Sequence, residues 1–159
     1  MDSKIVTIER KFIVGYKKEM SLVDHQTGIL WKNFIPKLSQ ILNRVDSLLI
    51  SATVYPSDYF ENFHPSHHFI KWAGVEVSDI KTIPDGLEVL EIPTGLYSCF
   101  EYKGHPNDAG PFYQTIFQDW FPKSGYELDN RPHFEEMGEK YKNDDPNSEE
   151  LVYIPILKR

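Results

Sequence analysis

Thiols are almost missing from this sequence. Cys99 is the single cysteine among 159 residues, so no disulfide can close within the chain, and nothing in its composition marks an oxidising compartment. Basic charge is thin as well: 17 Lys and Arg oppose 24 Asp and Glu, leaving a net charge of −7. The lysines are scattered, so the basic face that would displace counterions from a phosphate backbone is absent, and no direct nucleic-acid partner is expected. No run approaches the roughly 20 apolar residues that span a bilayer. The opening MDSKIVTIERKFIVGYKKEM also lacks the basic, apolar and small-residue segments of a secretory leader. A cytoplasmic protein without a membrane partner is the expectation. There is no G-x-S-x-G elbow, no Ser/His/Asp order and no Gly-rich phosphate loop, and no cofactor is expected.

What the chain does have is rings. Aromatics make up 14% of it and hydrophobic residues 40%, a globular composition with more aromatic surface than a plain core requires. Its length suits one domain over residues 1–159. The acidic balance favours cationic partners, although net charge of this size also serves solubility.

Periodicity gives the order of elements. IVTIERKFIVGYKKEM (5–20) reads as one or two short strands. TGILWKNFIPKLSQILNRV (27–45) places Leu30, Phe34, Leu38, Ile41 and Leu42 at helical spacing, with a bend expected at Pro36. SLLISATVYP (47–56) and HHFIKWAGVEV (67–77) read as strands joined by the irregular SDYFENFHPS. The pattern then repeats: GLEVLEIPTGLYSCFEYKG (86–104) is strand, AGPFYQTIFQDWFPKSG (109–125) is helix, and YELD, FEEM and ELVYIPI (150–156) are strand again. ILWKNFIP and TIFQDWFP share residue classes, as do Gly74-Val75-Glu76-Val77 and Tyr153-Ile154-Pro155-Ile156. We therefore expect a diverged duplication of βαββ units, over about 1–80 and 86–157, joined near PDGLE. The fold class is α+β: an antiparallel sheet, two main helices on one face, and a central groove of the kind in which small ligands bind.

IPDGLEVLEIPTGLYSCFEYKG resembles the "P-x-G, then I-P-x-G-x-Y, then F and a Gly" passage of the GyrI-like proteins, also called AraC-type or bacterial-transcription-activator effector-binding domains. FIKWAGVEV is similar to the family's aromatic-x-x-Gly-x-Glu-Val strand, and RPHFEE and SEELVYIPI to its closing segments. The resemblance implies a duplicated βαββ fold. It also implies a pocket for small molecules, often cationic aromatic drugs or dyes, with an acidic residue among rings. In larger members the domain follows a helix-turn-helix. Here the resemblance covers residues 1–157, so a free-standing, monomeric or weakly dimeric domain is expected. One family member is a gyrase-inhibiting protein, and one branch hydrolyses cyclopropane-bearing natural products. Many relatives carry a glutamate four residues before the proline of the last strand, where this chain has Leu151.

The candidate ligand residues follow. Glu135 and Glu136 are neighbours, so on a strand they face opposite sides. Glu135, on the strength of the resemblance, is the pocket candidate, preceded by Phe134. Glu149, the alternative acidic anchor, shares a face with Leu151 and Tyr153, which are ligand candidates with it, while Glu150 points the other way. Tyr55, Trp72, Tyr97 and Tyr153 are expected to flank the groove and offer ring faces to a cation, the ordinary alternative for each being core packing. Phe117 and Trp120 read as core. His64, His67 and His68 near Asp58 and Glu61 lack metal-site spacing, so no metal is expected. Cys99 has no cationic neighbour to stabilise a thiolate. Asp144, Asp145 and Glu149 lie in a solvated turn that could attract a cation. If the scaffold is an enzyme, Glu135 acts as general acid/base and Tyr153 donates to the developing anion.

Overall fold

The computed structural model describes residues 1–142 and 145–159. The first segment is two strands, β1 (Lys4–Ile8) and β2 (Lys11–Met20), followed by α1 (Thr27–Phe34), β3 (Leu49–Val54) and β4 (Phe69–Val77). The second half follows this order with one extra short strand, β7: β5 (Glu88–Ile92), β6 (Gly95–Lys103), α2 (Gly110–Thr115), α3 (Phe121–Ser124), β7 (Tyr126–Leu128), β8 (His133–Met137) and β9 (Glu149–Lys158).

Both helices are shorter or less regular than their periodicity suggests, and proline is the cause each time. α1 stops at Phe34 and tightens into a 3-10 helix over Ile35–Gln40, with Pro36 in its first turn. The chain is extended at Ile41, so Leu42, grouped with the apolar stripe by helical spacing, is 93% exposed. In the second half a π-helical turn, Ile116–Trp120, joins α2 to α3, and the Phe121 amide bonds to the Ile116 carbonyl five residues back. Pro122 follows immediately and has no amide to continue the α ladder. Gly125, at φ 77°, ends the helix in the left-handed conformation.

All strand pairings are antiparallel, along the path β1-β6-β9-β8-β3-β4-β2-β5, with β7 beside β9. The leading strand of each half pairs with the second strand of the other: β1 with β6, and β5 with β2. Read inward from either end, the path therefore meets the same kinds of strand, and its midpoint is the β8–β3 pair.

Three apolar clusters build the core. One seats α1 on β2 and β4 through Leu30, Phe34, Val14, Ala73 and Val75. A second seats α2, the π turn and α3 on β6 and β9 through Ile116, Phe121, Phe100, Val152 and Ile154. The third lies on the opposite face of the sheet, which carries neither helix. Ile13, Ile50, Ala52, Trp72, Ile92, Tyr97 and Phe134 are all buried there, with Val6, Ile8 and Leu90 of the outer strands packed against them. A sheet whose outer strands reach the same cluster as its central ones is strongly curled. On the helix side, the two helical clusters leave the central β3 and β8 between them.

On β2 and β4, Gly15 and Gly74 are direct partners. A Cβ on Gly15 would lie 1.9 Å from the Ala73 carbonyl oxygen, whereas one on Gly110 would meet nothing within 4 Å. Thermal denaturation should show Gly15→Ala losing about 1–3 kcal/mol, and Gly110→Ala leaving Tm unchanged or slightly raised.

A candidate ligand site at the centre of the sheet

On β8 the alternation of side chains sends Glu135 to the helix side and Glu136 to the opposite face. Each meets a tyrosine. The Tyr113 hydroxyl, from α2, donates to Glu135 Oε1 at 2.5 Å, and the Tyr153 hydroxyl donates to Glu136 Oε1 at 2.7 Å. In register, Glu135 lies between Ser51 of β3 and Val152 of β9. Two residues before Val152, on the same face, is Glu150, 8% exposed. Burial, then the charge of Glu135 and a side-chain hydrogen bond with it, push the Glu150 carboxyl up to about 8. A buried carboxyl in contact with a second one ionises at a cost, so Glu150 holds its proton at neutral pH.

Phenols and rings surround this pair. Burial raises the Tyr113 hydroxyl well above its ordinary range, and Glu135 adds to the effect. Tyr55 is raised by burial, then by Tyr59 and Glu135, and Tyr141 by burial, then by Glu150 and Glu135. The Tyr55 ring packs 4.9 Å from Phe60 and 4.8 Å from His133. Phe60 stacks on Phe117 at 5.0 Å and on His133 at 5.8 Å, so one ring of the β3–β4 connection bridges to the π turn above the central strands. Burial, with Lys71 nearby, lowers His133 to about 3 and keeps it neutral. Lys71 Nζ donates to Thr53 Oγ1 at 3.0 Å.

The curl of the sheet divides the residues expected from the sequence between two faces. Tyr55 and Glu135 belong to this site. Trp72, Tyr97 and Phe134 do not: they are 5%, 0% and 2% exposed in the core of the other face. Tyr97 is fixed there by a 2.7 Å bond from its hydroxyl to the Pro132 carbonyl. Tyr153 stacks on Phe134 at 4.5 Å on that same face, so it cannot act together with Glu135. Glu149 and Leu151 share the face of Tyr153, as the alternation requires, and Leu151 pairs with Glu136 rather than Glu135. The β9 carboxyl on the face of Glu135 is therefore Glu150, and Glu149, the alternative anchor to Glu135, lies on the other face. Phe117 and Trp120 pack with the α2 cluster, Phe117 also reaching Phe60. Asp145 accepts from the Asn147 amide within its turn, and Asp144 lies outside the described residues. His68 pairs with Glu19, and burial raises the Cys99 thiol.

Sequence reasoning missed Tyr113, Glu150, His133 and Lys71. For Glu150 a signal was present: it falls in step with Val152, Ile154 and Ile156, all buried. For Tyr113 there was none, because its bond depends on how α2 lies on the sheet. Two open surface grooves among the described residues lie elsewhere. One of about 450 Å³ is lined by Tyr16, Lys17, Lys18, Leu30 and Asn33, and it carries two lysines but no carboxylate. We place the site at the carboxyl pair because buried ionisable groups and rings converge there, and a site roofed by its own side chains leaves little empty volume.

A family model of the GyrI-like small molecule binding domain matches residues 1–157. Transcriptional regulator BrlR of Pseudomonas aeruginosa is 27% identical over 157 residues, which are 98% of this chain and 56% of that protein. The chain thus spans a little over half the length of this curated relative. Among solved structures, SAV2435 bound to tetraphenylphosphonium superposes with a TM-score of 0.75 at 14% identity, covering 99% of this chain and 94% of that one. A hydrolase encoded by lin2189 from Listeria innocua superposes with a TM-score of 0.60 at 9% identity, covering 98% and 91%. At such identities the likeness is one of fold.

Stability should carry the mark of the buried carboxyl. Glu150 rises from 4.5 to about 8 on folding, so its contribution is complete below pH 4.5 and is lost as pH climbs through 8. His133 has the opposite sign: lowered from 6.5 to about 3, it contributes above 6.5 and loses that contribution on acidification. Between pH 6.5 and 8 only Glu150 of these two acts. Melting curves across that window should show Tm falling in the native protein and nearly flat in Glu150→Gln.

Proposed function

Because the chain belongs to the GyrI-like family of small molecule binding domains, we propose that Glu135 and Glu150 form the polar floor of its ligand site, and that the ligand is a cationic, aromatic or amphiphilic small molecule. The observation that carries this reading is the carboxyl pair itself, Glu150 buried and protonated at neutral pH beside the half-buried Glu135, near Tyr55, Tyr113 and the Phe60–Phe117 stack. A proton is the smallest cation that can neutralise such a pair. An organic cation that displaces the Phe60 stack meets two carboxylates and several ring faces, so charge and cation–π attraction act together. An anion at the same place would leave buried negative charges unpaired. SAV2435, which shares the fold, is bound to a lipophilic cation, and this supports the reading.

Binding alone is sufficient for sequestering a compound or for sensing an effector within a regulator. A second reading, hydrolysis, draws on the 2.5 Å contact between the Tyr113 hydroxyl and Glu135. It brings a donor and a general base to one point, with Tyr113 in the role that the sequence had suggested for Tyr153. The fold shared with the Listeria innocua hydrolase supports it. We also read the two halves as a diverged duplication, supported by the mirrored strand order about β8 and β3.

Titration calorimetry with tetraphenylphosphonium tests the primary reading. Affinity should rise with pH until about 8, because below that value binding must expel the Glu150 proton. Glu135→Gln should weaken binding about tenfold or more, while an isosteric anion such as tetraphenylborate should not bind. Unchanged affinity in both Glu135→Gln and Glu150→Gln would remove the charge role. Recovery of a chemically altered ligand from an electrophile screen would favour hydrolysis.

A further inference from the structure

The helix side of the sheet also carries a cation that the carboxyl floor does not use. Lys71 projects to this face with Phe69 and Ala73, while its neighbours Ile70 and Trp72 pack into the opposite core. In register it faces Thr53, and Thr53 faces His133. The adjacent row runs Ala73, Ser51, Glu135, Val152. Lys71 is thus two strands from the Glu135 strand and offset from Glu135 by two residues along it. Its ammonium is drawn over Thr53, to whose hydroxyl it donates at 3.0 Å, so its head is held above β3 rather than swung out over the sheet edge.

Among the described residues no carboxylate lies within ion-pair distance of Lys71. Its charge is felt inside the site all the same, opposing protonation of His133 and favouring ionisation of Glu150. The site is therefore dipolar, with carboxyls on β8 and β9 and an ammonium over β3. By strand spacing the Lys71 and Glu135 backbones are about 12 Å apart, and the bond to Thr53 carries the ammonium toward β3, one strand closer. A simple lipophilic cation satisfies the first pole and is repelled by the second.

We propose that Lys71, held by Thr53, is an anion-accepting pole of the ligand site, and that the preferred ligand is zwitterionic: an aromatic cation bearing a carboxylate or comparable anion on a short tether. This rests on the reading of Glu135 and Glu150 as the ligand floor. A cation that carries its own anion neutralises both poles in one molecule, and Lys71 selects it over the plain cation by differential affinity.

The probes are carboxybutyl triphenylphosphonium, a zwitterion at pH 8, and its methyl ester, which keeps only the cation. Calorimetry on the intact chain should show the zwitterion binding at least as tightly as the ester. Lys71→Gln should weaken the zwitterion about tenfold and spare or strengthen the ester, inverting the order. An ester that outbinds the zwitterion in the native protein, with a ratio indifferent to Lys71→Gln, overturns the second pole and leaves the carboxyl floor standing. Binding of neither probe to the native protein overturns both. The native ratio requires no variant, so a Lys71→Gln protein that fails to fold still leaves it to decide: zwitterion preference supports the pole, and ester preference refutes it.

Discussion

Glu150 is buried against a second carboxyl, and the surroundings of the site follow from the need to tolerate that contact. Glu135 is satisfied by the Tyr113 hydroxyl, Glu150 retains a proton to about pH 8, and the nearest lysine is tied to Thr53 rather than quenching the pair. A buried carboxyl held against a second one without full ionic neutralisation destabilises a fold. The pair lies between the two helix-seated clusters, where α2 reaches β8 through Tyr113, and in the proposed function a ligand relieves that strain.

The opposite face explains why the strain is tolerated. Trp72, Tyr97 and Phe134 form a buried platform directly behind β3, β4 and β8, and Glu136 is answered there by Tyr153. Arg131 braces the same region: its Nη2 donates to the Leu96 and Ile156 carbonyls at 2.6 and 3.1 Å, and its guanidinium lies 4.7 Å from the centre of the Tyr97 ring. The aromatic excess in the composition therefore has two uses. One set of rings stiffens the sheet, and the other roofs the carboxyls.

Much of this was legible in the chain. Alternation alone separated Glu135 from Glu136 and Glu149 from Glu150, and the segment order with its motifs pointed to the right family and fold class. Alternation could not say which face held the site, because the curl of the sheet buries both, and so four strand aromatics were assigned to the wrong side of Glu135. The exchange of β1 and β5 between halves was hidden because pairing partners are set by long-range packing rather than local pattern. The π turn that carries Phe117 toward Phe60 was hidden for a related reason: a proline marks where a helix changes, but not whether it kinks, tightens or widens.

The central claim is that an organic cation replaces a shared proton. Calorimetric titration of tetraphenylphosphonium at pH 7, repeated in buffers of different ionisation enthalpy, counts that proton directly. With Glu150 held at about 8 in the free protein, the account predicts release of close to one proton per ligand bound, and none in Glu150→Gln. An observed enthalpy that is the same in every buffer would mean that no proton leaves, and the carboxyl pair would not be the floor of the site.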